Sequence, residues 1–468
     1  MTGPRQGGHG PDFWSERRPE RQLLLLAVGG VALGFVLVLG AGIAAGRPLT
    51  IMDWVPFVSY ALCLLAVHLT LVAAQFRGDQ ILLATLAFLA GLGLLIQFRM
   101  GTYDPAQGSS LGRYLFPGGI GVLLATCLMF MRGRYENLAA GIWVWGGLSL
   151  LLIGVVVVTG QRYRGAVYAT GLVTPTEFLK VTITLFLAGF IDRHGKTLAN
   201  WGNSWLPLPP WQGLLPLMLY WAVLAGLLAW QRDVGLFIIL SVTLLVMLYL
   251  GTGRLGYLVV GILGAVGLGY GVLSLMQHGQ RRIQAWLDPF SDPTGGSWQI
   301  LQGLSGMYAG GLWGEGFGLG NPQYTPIAES DFIYSVIGEE LGLLGCALVL
   351  ILFLVLFQRG LGISFQARSK FGVLVSGGLT TLIAVQTFLN LGGVTKFIPL
   401  TGLTLPFLSH GGSSLITGFV SLGLILAVSD GMPAGRTTGG RATSTRTSRQ
   451  DGQRASRKRL LAGESPQP

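Results

Sequence analysis

Charge is scarce in this sequence. Only 11% of its 468 residues are Asp, Glu, Lys or Arg, while 51% are hydrophobic. A soluble domain carries about 25% charged residues. A soluble globular fold is therefore excluded, because most of the surface must face lipid. Cysteine is nearly absent. Cys63, Cys127 and Cys346 each stand alone in an apolar run, without metal-ligand or disulfide spacing, which leaves them as small buried hydrophobes. His9, His68, His194 and His278 are scattered and show no zinc spacing or Ser-His-Asp order. No cleavable signal peptide is expected, since residues 1–21 are polar and the first apolar run is long, with no small-residue cleavage pattern soon after it.

Long apolar runs are what the sequence has instead. Spans of roughly 20 residues fit a bilayer, and backbone in lipid must satisfy its own hydrogen bonds, so the runs are helices. Their continuous rather than alternating pattern argues against an outer-membrane barrel. Helices are expected at 22–45, 55–75, 80–97, 114–131, 138–158, 175–191, 214–230, 234–250, 255–275, 332–357, 371–393 and 413–429. The fold class is thus an all-α, polytopic membrane bundle. Its outer parts are a polar, disordered cytoplasmic segment, 1–21, and a basic disordered cytoplasmic tail, 431–468.

The net charge of +11 could suggest nucleic acid. Its distribution points to a membrane surface, because eight of the 31 Lys and Arg residues lie between Arg436 and Arg459 beside the last helix. With both termini in the cytoplasm, the inner segments hold 21 Lys and Arg and the outer segments nine, with Lys180 inside a helix. That asymmetry follows the positive-inside rule. The longest connection, 276–331, then lies outside. Its Gly, Trp, Tyr and Phe suit a segment folded onto the membrane interface.

Polar residues that could carry chemistry gather at the outer boundary. Thr174-Pro175-Thr176-Glu177 has the form of a capping box. Lys180, one turn further into an apolar helix and on the same face as Glu177, has no such local explanation; an intramembrane Lys implies function and a carboxylate partner. Asp233 either caps the next helix or joins this group. Arg162 and Arg164 are either solvated or partners for phosphate. Asp331 precedes Phe332, Ile333 and Tyr334. It either caps the helix or is a carboxylate whose pKa desolvation raises toward that of a general base. Glu339 and Glu340, two turns on, are expected to pair with loop groups. The glycines from Gly306 to Gly320 are no nucleotide loop, since no strand precedes them, and suit tight backbone packing near a ligand. His410-Gly411-Gly412-Ser413-Ser414 offers a helix start that either caps or binds an anion through N–H groups.

Four blocks resemble the SEDS (FtsW/RodA/SpoVE) family. They are RGAVYATGLVTPTEFLK (Arg164 to Lys180), QRDVG (Gln231 to Gly235), the stretch from Arg282 to Gly345 with LDPFSDPTGGSWQILQGL, GGLWGEGFGLG and SDFIYSVIGEELGLLG, and NLGGVTKFIPLTGLTLPFLSHGGSSL (Asn390 to Leu415). The sequence departs from the family at Arg232, where Pro is usual, at Ser330 for Thr, at Gly165 for Trp, at His410 for Tyr, and at Thr401, where FtsW proteins often carry a Lys; Lys396 lies nearby. The resemblance implies a ten-helix core over 80–430, two additional transmembrane helices within 22–79, and a large extracytoplasmic loop between the ninth and tenth helices.

It also implies polymerisation of lipid II on the outer face of the cytoplasmic membrane, with Asp331 catalytic. Arg164, Glu177, Lys180, Asp233, Lys396, His410 and Ser413 would contact substrate. Glu177 and Asp233 either orient the cations or hold a divalent cation, Mg2+ or Mn2+; no organic cofactor is expected. A class B penicillin-binding protein is the implied transpeptidase partner, within the elongation or division machinery. A lipid II flippase is the alternative, and a non-catalytic scaffold a third reading. Clustering of the charges at one face rather than at the midplane favours the enzyme.

Overall fold

A computed structural model describes residues 13–102, 115–163, 166–168, 174–201, 210–264 and 277–430. The apolar runs form α1 (Arg18–Ala44), α2 (Val55–Ala73), α3 (Ile81–Arg99), α4 (Leu115–Phe130) and α5 (Ile142–Thr159). A hairpin of β1 (Gln161–Tyr163) and β2 (Ala166–Tyr168) pairs antiparallel with Arg162 opposite Val167. Then come α6 (Pro175–Ala199), α7 (Trp211–Gln231) and α8 (Val234–Thr252). The ninth expected helix is described only at 256–264; its remainder lies outside the described residues. Two helices, α9 (Gln277–Leu287) and α10 (Trp298–Gly310), occupy the long connection. The chain closes with α11 (Ile333–Gln366), α12 (Lys370–Val394) and α13 (Gly412–Ser429).

Among the described residues nine helices are long and apolar enough to cross a membrane, and the helix ending at Phe130 is a shorter apolar one. This is a multi-pass membrane protein. α6 is 25 residues long but is not among the nine. It carries Glu177, Lys180, Asp192, Arg193 and Lys196. Lys180 alone lies within residues 179–191, which are buried against protein rather than lipid, and the others lie toward the helix ends. α3, α12 and α13 are likewise mostly buried, whereas α1, α2, α5 and α7 present most of their surface outward. α3, α6, α12 and α13 thus form the inner layer, and α1, α2, α5 and α7 an outer, lipid-facing one.

Two expectations are corrected. The N-terminal segment read as disordered to residue 21 is helical over Phe13–Glu16 and again from Arg18. Two of its charges are paired inside the fold: Glu20 is buried between Arg17 and His68, with His68 Nδ1 2.7 Å from Glu20 Oε1, and Arg17 donates to the Phe76 carbonyl at 2.7 Å. α11 runs nine residues past its expected end at 357, and Arg359 there donates to Asp79 Oδ2 at 2.8 Å. The tail, 431–468, lies outside the described residues.

α11 is interrupted. Gly342 has φ 66° and ψ −166°, a conformation available essentially to glycine alone. A helix break orphans backbone groups, and the glycine-rich loop supplies their partners. Glu315 N donates to Glu339 O (2.9 Å) and Gly316 N to Glu340 O (3.0 Å). Leu343 N donates to Gly311 O (2.9 Å) and Leu344 N to Leu312 O (3.3 Å). The loop therefore lies inside the break. A methyl group on Gly310 would stand 2.0 Å from Gly338 O, and one on Gly314 2.2 Å from Glu340 O. These glycines are required by backbone contact with α11.

Candidate active site at the outer helix ends

α6 begins at Thr174 with Pro175 in its first turn, as the sequence predicts, but no capping box forms. Thr174 makes no side-chain cap, and its N–H donates to Ser413 Oγ at 2.8 Å. Glu177 turns instead to Lys180, Oε2 to Nζ 2.6 Å. The reason is electrostatic. Lys180 is only 3% exposed, and a buried ammonium without a counter-charge costs more than an unfilled cap. Lys180 Nζ also donates to Gln386 Oε1 at 2.8 Å.

Gln386 passes the contact on. Its Nε2 donates to the Thr404 carbonyl at 3.0 Å, and Thr404 Oγ1 lies 3.0 Å from Ser414 Oγ. One turn along α12, Asn390 Nδ2 donates to the Asp331 carbonyl (2.9 Å) and to the Leu403 carbonyl (2.6 Å). The segment before α11 is held from other sides too. Gln97 Nε2 and His410 N both donate to Glu329 O at 2.7 Å, and Ser409 donates to the Ser330 carbonyl. Asp331 does not cap α11, whose N-cap is Phe332 without a side-chain bond. Its Oδ1 accepts from Ser330 Oγ at 3.0 Å, and its Oδ2 lies 3.6 Å from where a methyl group on Gly402 would be. Gly402, at φ +74°, brings its backbone beside that oxygen.

Asp233 does cap α8, accepting from Leu236 N at 2.9 Å. Desolvation raises its pKa, against the lowering effect of that bond and of the charges of Lys180 and Arg282; Glu177 raises it further. One electrostatic neighbourhood thus contains Asp233, Glu177, Lys180 and Arg282. Arg282, on α9, donates to the Leu400 and Thr401 carbonyls at 3.3 Å each, and Trp286 Nε1 donates to Lys396 O at 3.0 Å. Lys396, at φ +60°, is thereby fixed through its backbone. His410 is likewise fixed through its backbone, its N–H donating to Glu329 O. Burial lowers the His410 pKa, opposed by the charge of Glu329. Ser413 acts as the anchor for Thr174. Arg164 lies outside the described residues.

The sequence therefore brings Asp331, Glu177, Lys180, Asp233 and Ser413 into one polar layer. It did not single out Gln386, Asn390 or Arg282. Two amides four residues apart in an apolar helix were the available signal for the first two, since that spacing puts them on one face. Below this layer Ile239, Leu382 and Leu389 pack with Ile398 and Leu403 into an apolar wall. Among the described residues no three His, Cys, Asp or Glu side chains converge as metal ligands, and Glu177 is already committed to Lys180.

The FTSW_RODA_SPOVE family model, described as "Cell cycle protein", matches residues 79–432. "Peptidoglycan glycosyltransferase RodA" of Mycobacterium tuberculosis is 31% identical over 437 residues, covering 89% of this chain and 91% of that protein. "Probable peptidoglycan glycosyltransferase FtsW" of Trichlorobacter lovleyi is 31% identical over 379 residues, covering 77% of this chain and 95% of that protein. A solved chain from a study of "polymerization and crosslinking by a peptidoglycan synthase complex" superposes with a TM-score of 0.60 at 25% identity, covering 75% of this chain and 97% of its own length.

Proposed function

Since the chain belongs to the SEDS (FtsW/RodA/SpoVE) family, we propose that it is a peptidoglycan glycosyltransferase that polymerises lipid II on the outer face of the cytoplasmic membrane. One observation carries this reading: Asn390 and Gln386, one turn apart on α12, bind the Asp331 backbone and the Lys180 ammonium respectively. A carboxylate and a cation held on one rigid face suit a displacement that needs a base at one end and positive charge at the other.

Asp331 accepts the proton of the acceptor sugar's 4-hydroxyl. The oxygen's electron pair forms the new bond to the donor's anomeric carbon. The bond from that carbon to diphosphate breaks on the opposite side, and undecaprenyl diphosphate leaves with the electron pair. A single displacement turns the α-linked donor into a β-linked product. Lys180 stabilises the departing diphosphate, oriented by Glu177 and Asp233; the same role for Arg164 rests on the family resemblance. The apolar helices admit the polyprenyl chains from the bilayer. A Mg2+ or Mn2+ ion would take Asp233 together with diphosphate oxygens, the usual way Mg2+ is held; no step here runs through it.

The 21 inner against nine outer Lys and Arg support placing both termini in the cytoplasm. The likeness to a chain of a peptidoglycan synthase complex supports a class B penicillin-binding protein as partner.

The test is reconstitution of the full chain with lipid II and such a partner. Wild type should yield glycan strands. Asp331→Asn should lose about 10²–10⁴-fold, the usual contribution of a general base. Transbilayer movement of lipid II without strands would favour the carrier instead. Near-normal synthesis by Asp331→Asn would refute the assignment of the base.

A further inference from the structure

We infer that α1, which precedes the family core, is a positioning element for the reaction and acts on Asp331 through Gly318. The inference rests on the glycosyltransferase reading. It starts from a tight seam. A methyl group on Gly34 of α1 would stand 2.3 Å from Leu95 Cδ2 of α3, and one on Gly91 of α3 would stand 2.4 Å from Val31 and 2.6 Å from the Tyr60 hydroxyl. Tyr60 in turn donates to the Ala87 carbonyl at 2.7 Å. Helices this close exclude lipid and move together.

At its outer end the seam meets the glycine-rich loop. A methyl group on Gly318 would lie 2.8 Å from Ala41 Cβ, 3.6 Å from Arg99 Nε and 3.8 Å from Val38 Cα. Gly318 is thus pressed between α1 and the end of α3. Arg99 donates to the Gly318 and Gly320 carbonyls at 3.0 and 2.9 Å, and its Nε lies 3.0 Å from Glu340 Oε1. Gly318 N donates to Glu340 Oε2 at 3.3 Å, and Asn321 N to Glu339 Oε1 at 2.6 Å. Both glutamates sit in the last turn before the break at Gly342. The first turn of that same short helical piece follows Asp331. The route is therefore Ala41, Gly318, Arg99 with Glu340, the helical piece, and Asp331. Every link is a packed or hydrogen-bonded contact. The break interrupts the backbone ladder between the piece and the rest of α11, where the Tyr334 hydroxyl still donates to the Cys346 carbonyl at 3.2 Å, and the loop supplies the partners that the ladder leaves open. Misplacing a reacting group by about 1 Å can cost on the order of 100-fold.

Ala41→Leu in the full chain tests the route, because the larger side chain must displace Gly318. The expected result is a fall in kcat of at least about tenfold with KM for lipid II within about twofold, since Asp331 acts on the transition state rather than on binding. Amide hydrogen exchange over 310–320 should quicken in the same preparation, with an unchanged melting temperature. Ala41→Val serves if the Leu variant does not fold. Wild-type kcat together with wild-type exchange in a folded Leu or Val variant would overturn the inference. Inactive wild type would instead sink the glycosyltransferase reading, and the exchange measurement would still decide whether α1 holds the loop.

Discussion

Gln386 and Asn390 divide one helix face between the two chemical ends of the site: the first accepts from Lys180, the second donates to the backbone of Asp331. Their spacing of four residues, about 6 Å of helix rise, sets both contacts on one face of α12.

Gln386→Leu keeps the volume and removes the acceptor. Lys180 then loses one hydrogen bond in a buried setting, worth about 1–3 kcal/mol. Polymerisation should fall roughly tenfold to a hundredfold, measured as glycan strands formed from lipid II. Unchanged rates would mean that the amide does not position the ammonium.

Glu177 and Lys180 should behave as a unit. Glu177→Gln leaves a buried ammonium uncompensated, at a cost of about 3–5 kcal/mol, and should lower the melting temperature sharply. Adding Lys180→Met removes the stranded charge and should recover most of that stability. Activity should not recover, because no cation then faces the leaving group. A double variant that regains both would show the pair to be purely structural.

Much of this was legible in the sequence, and the limits are physical. Hydropathy located the spans because lipid forces backbone into helices. Lys180 stood out because a charge in an apolar run has no bland explanation. Glu177 was open to a second local account, the capping box, and only the position of Ser413, 239 residues away from Thr174, decided between them. Arg99 and Glu340 are 241 positions apart, and nothing local in either sequence neighbourhood announces the pair. The glycines of 310–318 announced close packing but not its object, because the gap they fill belongs to a helix that hydropathy presents as continuous.

The pH dependence of stability should carry a signature of His410. Its folded pKa is lowered from 6.5, so the fold prefers the neutral ring. The unfolded chain takes up a proton as pH falls through 6.5 while the folded chain lags, and stability is lost in that direction. Wild type should therefore lose more melting temperature than His410→Asn between pH 7.5 and pH 5.5. Equal losses would place the ring in an ordinary environment.

Gly342 allows the sharpest structural test. Its φ of 66° and ψ of −166° are closed to residues with a Cβ, and a methyl group there would stand 2.4 Å from Gly314 N and 2.5 Å from Leu312 O. Gly342→Ala thus combines backbone strain, of order 1–3 kcal/mol, with a clash against main chain that no rotamer relieves. Two responses are open to the chain. It can expel the loop, which strands the carbonyls of Glu339 and Glu340 and the N–H groups of Leu343 and Leu344, or it can close the break into continuous helix, which rotates the piece that follows Asp331. Both disconnect the loop from the base. Gly342→Ala should therefore abolish polymerisation even where enough protein folds to be purified, with hydrogen exchange over 310–320 raised. A folded, active Gly342→Ala enzyme would mean that the break in α11 has no part in holding Asp331 in place.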